Sequence, residues 1–125
     1  MSQIRIFTSY FGRLKHFPSS LETIAICAGP PRWYNGRAMS CLAPTRSMIR
    51  MEPAQYIPLY KGILDSLDPD EVLKEIGNNA ILLCWEGSGK FCHRRMAARW
   101  LEERCGIEVP ELVFDKSRIM NPGVV

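Results

Sequence analysis

The stretch from Ala80 to Arg95, AILLCWEGSGKFCHRR, constrains the fold more than any other part of the chain. Ala80 to Cys84 is a short apolar run of strand length. From Cys92 to Arg104 the period changes to that of a helix: Cys92, Met96 and Trp100 fall on one side, with Ala97 and Leu101 alongside, while Arg94, Glu102 and Glu103 point away. Trp85 to Phe91 therefore joins a buried strand to a helix. A chain built around such a junction belongs to the α/β class.

The flanking elements agree with that class. Ile4 to Tyr10 and Glu22 to Cys27 are rich in β-branched and aromatic residues and predict two strands. Between them, Arg13, Lys15 and His16 lie on a loop at a strand's carboxyl end, the usual ligand side of an open α/β sheet. Gly29-Pro30-Pro31 stops the second strand, and Arg32-Trp33-Tyr34-Asn35-Gly36-Arg37 follows, two large aromatics bracketed by arginines. Residues 38–57 show little period, although Arg46 and Arg50, four apart, can share the face of a short helix. An extended passage then leads into a helix over Ile57 to Leu64, with Tyr56 and Tyr60 covering the core or lining a cleft.

Asp68-Pro69-Asp70-Glu71 is the clearest helix start, with a capping carboxylate, proline at the first helical position and acids at the positive end of the dipole. That helix runs to Ile76 and is ended by Gly77-Asn78-Asn79. Ile107 to Phe114 predicts a last strand whose Pro110 suits an edge. Strands and helices in this order predict one three-layer α/β domain over residues 1–125, with a mostly parallel sheet flanked by helices and an arginine- and aromatic-rich insert around residues 28–60.

Charge and cysteine usage narrow the function classes. Sixteen Lys and Arg against thirteen Asp and Glu give a net charge of +3, too mild to identify a nucleic-acid binder. Eleven of those cations are arginines, which favours planar, bidentate recognition of an anion. The five cysteines form no CxxC pair and leave an odd one over, so no disulfide framework is expected. With no stretch near the roughly 18 apolar residues of a spanning helix, the expectation is a cytoplasmic protein with mostly reduced thiols and no membrane partner.

The junction carries the candidate chemistry. Amides of a loop and first helical turn can converge on an anion, and the same positive environment would lower a thiol pKa. Cys84 is the candidate nucleophile, His93 the candidate base or acid, and Glu86 the carboxylate that orients His93 or an arginine. Lys90, Cys92, Arg94 and Arg95 are candidate ligand contacts, joined by Arg13 and Arg32 for charge and by Trp33 and Tyr34 for stacking on a base. Arg94 and Arg95 oppose the dipole in a first turn, so something anionic must compensate them. Cys84 to Lys90 also has the cysteine-x5-basic spacing of cysteine phosphatases and rhodanese-like proteins. Lys90 in place of arginine and Glu86 inside the cradle argue against that chemistry. Cys84, Cys92 and His93 are soft metal ligands, but neighbouring Cys and His at a helix start diverge, so neither metal nor other cofactor is expected.

Leu83-Cys84-Trp85-Glu86, followed by Cys92-His93-Arg94, resembles the uncharacterised domain-of-unknown-function family numbered 488, whose strand ends in Cys-x-Glu and whose helix opens on Cys-His-Arg. Ile6 to Tyr10 is similar to the family's first strand. The resemblance implies a compact α/β domain with a pocket formed by Cys84, Glu86, Cys92, His93 and Arg94, and no settled activity. Thr8-Ser9-Tyr10 stands where many relatives have Gly-His-Ser. The expected function is a small-ligand pocket, with or without thiol-dependent chemistry, for a phosphate-bearing nucleotide or nucleic-acid end. A non-enzymatic nucleic-acid-binding module and a structural or partner-binding domain are the alternatives.

Overall fold

A computed structural model describes residues 4–85, 93–114 and 119–120. Four strands, β1 (Ile6–Tyr10), β2 (Glu22–Ala25), β3 (Arg37–Ala38) and β4 (Ala80–Cys84), form one parallel sheet in the order β1-β4-β2-β3. Every residue of β4 is buried, as a central parallel strand covered on both faces requires. Ile6 is in register with Ala80 on one side and Glu22 with Ala80 on the other, so both strands start level with β4; β1 ends with it at Tyr10 and Cys84, and β2 one residue earlier, at Ala25 and Leu83. Their carboxyl ends open on one rim, which is where the candidate junction sits.

Three helices, α1 (Pro53–Asp65), α2 (Pro69–Ile76) and α3 (His93–Cys105), share a core with Ile6, Ile24, Ala80 and Leu82 on one face of the sheet. The opposite face, carrying Phe7, Ala25, Ile81 and Leu83, is covered by a 3-10 segment (Phe11–His16) and loop residues, with Phe11, Leu21, Leu112 and Tyr34 closing it. The domain is α/β as the sequence predicts. Its third layer is thinner than an α-helix, because only eleven residues separate β1 from β2. A short antiparallel pair, β5 (Val113–Phe114) and β6 (Ile119–Met120), follows.

Local chemistry accounts for the boundaries. Asp68 caps α2 by accepting from the Asp70 amide, and Pro69 opens the helix. Gly77, at φ 79°, ends it. Helix α1 begins at Pro53, four residues before its expected start. Pro53 occupies the first turn, where its missing N–H is unneeded, and Pro58 gives up its single bond on the exposed side, leaving Tyr56, Tyr60 and Leu64 as the buried stripe. The predicted last strand is reduced at Pro110 and Glu111 to a single parallel bridge beside β1, in which the Thr8 amide donates to the Pro110 carbonyl.

Thr8 and Ser9 are both fully buried. The Thr8 hydroxyl donates to Glu111, whereas Ser9 Oγ has no partner among the described residues. A buried hydroxyl without a hydrogen bond forfeits its hydration with nothing in return. Ser9→Ala is therefore expected to stabilise the fold by about 1 kcal/mol in a denaturant titration. A loss of stability would show that the hydroxyl is satisfied after all.

Candidate functional site

A cavity of about 620 Å3 opens at the rim where β2 and β4 end. Cys27, Ala28 and Gly29 line it just beyond β2, Cys84 and Trp85 at the end of β4, and His93 at the start of α3. The insert supplies the opposite wall through Pro44, Arg46, Ile49, Arg50 and Met51, and α1 contributes Tyr56. The volume lies within the range of small-molecule sites, about 300–1,000 Å3.

The cavity's polar groups differ in freedom. His93 is buried, its Nε2–H donating to the Ile26 carbonyl and its ring edge-on to Tyr60 at 5.1 Å between centroids. Burial lowers its pKa to about 4, against the raising effect of the Ile26 bond and with a smaller lowering effect of Arg94. The imidazole is neutral at pH 7, with its lone pair on Nδ1. Trp85 is half exposed, and its Nε1–H donates to the Gly29 carbonyl at 2.7 Å, which fixes the indole at the mouth. Arg46 and Arg50 are exposed, and neither guanidinium has a carboxylate or hydrogen-bond partner among the described residues.

Cys84 stands in the cavity wall at the end of β4. Its sulfur is disulfide-bonded, while Cys27, Cys41 and Cys105 are free thiols. An odd cysteine count disfavours a framework, but it leaves room for one bond. Arg94 Nη1 donates to Cys84 Sγ at 3.0 Å. The free thiol in the cavity wall is Cys27, whose pKa burial pushes up.

Arg94 does not point away from the domain. Its side chain is 3% exposed, beneath the segment that returns along β1 after α3, and it grips Glu111 through Nε and Nη2 at 2.8 to 3.2 Å. The anion that the first turn demands is thus Glu111, far along the chain. Arg95 is committed as well, Nη1 donating to Thr8 Oγ1 and to the Val109 carbonyl.

The other predicted residues divide by position. Arg13 donates to the Tyr10 hydroxyl and lies over the Tyr10 ring, with Arg94 also 5.5 Å from that ring's centroid. Tyr34 is structural, its hydroxyl donating to the Arg37 carbonyl and contacting Thr23 Oγ1 over Gly36, where any Cβ would collide with it. Trp33 and Arg32 are exposed and lie outside the cavity lining. Glu86, Lys90 and Cys92 lie outside the described residues. Of the predicted set the cavity gathers Cys84 and His93; its other chemistry, Arg46, Arg50, Trp85 and Cys27, was not in that set. The spacing of Arg46 and Arg50 was the one signal that pointed to part of it.

Among the described residues no three His, Cys, Asp or Glu side chains gather as a metal site would need, and no helix is long and apolar enough to cross a membrane. No family model, curated protein or solved structure matches the chain.

Proposed function

We propose that the protein binds a phosphate-bearing small molecule of nucleotide size in the cavity at the carboxyl rim of the sheet. One observation carries the reading: Arg46 and Arg50 line the same hollow as Trp85 and His93, and their guanidiniums are unneutralised among the described residues. Two unpaired planar cations are suited to a phosphate, and the fixed indole to a base or sugar. His93, held neutral, serves as a hydrogen-bonding group in the wall; a pKa of about 4 makes it a weak base at pH 7. Thiol chemistry at Cys84 first requires reduction of its disulfide, after which the adjacent Arg94 guanidinium would favour the thiolate. The resemblance of Cys84-Trp85-Glu86 and Cys92-His93-Arg94 to the domain-of-unknown-function family numbered 488 supports a pocket at this junction and adds no reaction.

Calorimetric titration with adenosine and thymidine monophosphates and with inorganic phosphate tests the reading. Arg46→Gln and Arg50→Gln are each expected to weaken nucleotide binding about tenfold, from the loss of one charge-assisted contact. Stability should stay within about 0.5 kcal/mol, since neither side chain holds the fold. Nucleotide affinity unaltered in the double variant, or absent from the wild type, would reject the proposal.

A further inference from the structure

We infer that the cavity's ligand is the end of a single strand of nucleic acid, with the terminal nucleotide in the hollow and the next base on an aromatic ridge outside it. This rests on the phosphate-pocket reading and extends it in one direction. Trp85 belongs to the cavity wall and is also the first member of the ridge. Phe11, almost fully buried, stands edge-on to Trp85 at 5.5 Å on one side and to Trp33 at 6.2 Å on another. The two indoles are 53% and 61% exposed, so a buried ring anchors two large aromatic surfaces that the fold leaves in water. Stacking on an unpaired base is what such surfaces offer, and a duplex would withhold its base faces.

Charge points to the same polyanion. The net charge of +3 hides a division within the chain: residues 1–51 hold seven Lys and Arg against one carboxylate, Glu22. Glu22 is itself paired with Arg37. The segments that carry Phe11, Trp33 and the insert wall, 11–17 and 28–51, contain no Asp or Glu, whereas Glu86 follows Trp85 in the sequence. Arg32 stands beside Trp33 in the sequence, exposed and without a partner among the described residues, while Arg46 and Arg50 serve the hollow. A single nucleotide occupies the hollow alone and leaves Trp33 and Arg32 without purpose. A strand continuing past Trp85 uses both, with a phosphate for each cation.

The test compares thymidine monophosphate with single-stranded tetrathymidylate carrying a phosphate at its 5′ or its 3′ end, by titration at 50 and 200 mM salt; matched uridylates separate RNA from DNA. One of the tetranucleotides should bind at least tenfold tighter than the mononucleotide, with a steeper salt dependence. Trp33→Ala should abolish that advantage and leave mononucleotide affinity unchanged; Trp33→Phe should retain most of it. A tetranucleotide no tighter than the mononucleotide, a Trp33→Ala variant that keeps the advantage, or equal affinity for a blunt duplex overturns the inference while leaving the pocket reading intact. Binding of neither ligand ends both.

Discussion

Glu111→Gln is expected to cost the fold about 3–5 kcal/mol, the usual consequence of stripping one partner from a buried ion pair. Arg94 is almost wholly enclosed, cannot lose its proton, and is gripped by the Glu111 carboxylate through Nε and Nη2. Glutamine keeps the shape and removes the charge, so a guanidinium beside the core loses the Glu111 carboxylate from its surroundings. The Thr8 hydroxyl, which donates to the same carboxylate, loses a strong acceptor too. The cost is therefore that of weakening a buried ion pair and its hydrogen bonds together. Arg94→Met with Glu111→Leu should recover most of it, because an apolar pair of similar volume carries no desolvation penalty. Urea unfolding of the three variants measures both effects. A Glu111→Gln protein within 1 kcal/mol of wild type would mean that Arg94 is solvated or otherwise neutralised.

Stability should also fall by about 3 kcal/mol as the pH drops from 6.5 to 4, on account of His93 alone. In the unfolded chain this imidazole titrates near 6.5; in the folded protein burial holds it at about 4. Above the upper value neither state is protonated and the group contributes nothing. Between the two values the unfolded chain binds a proton that the folded protein refuses, so acid favours unfolding throughout that window. The loss is complete once the pH passes below the folded value. His93→Gln, which cannot titrate but can still donate to the Ile26 carbonyl, supplies the reference. Denaturation of both proteins at pH 7.5, 5.5 and 4 isolates the histidine from the carboxylates. A gap between them that stays constant with pH would place His93 in contact with solvent.

What the sequence makes legible is what depends on near neighbours. Strand β4 announces itself by an unbroken apolar run, and α2 by Asp68, Pro69 and Gly77, each acting within one turn of its own position. Helix α1 is obscured because Pro53 and Pro58 signal interruption, and only the finished helix shows that one sits in the first turn and the other on the solvent side. Cys84 and His93 are visible as candidates because a strand-to-helix bend brings them to the rim whatever the rest of the chain does. Arg46 and Arg50 reach that rim through the path of the insert across the ends of β2 and β4, which no local pattern encodes. Arg94 is the sharpest case. Helical spacing places it on an outer face, and it is the distant Glu111 segment that turns that face into an interior.

The bridge between Thr8 and the segment at Pro110 has a consequence for assembly. It occupies hydrogen-bonding groups along the outer margin of β1, while β3, at the far margin, is two residues long. Both features shorten the open edge that the described four-stranded sheet presents to a further strand. Edge-to-edge pairing of two copies through this sheet is correspondingly disfavoured.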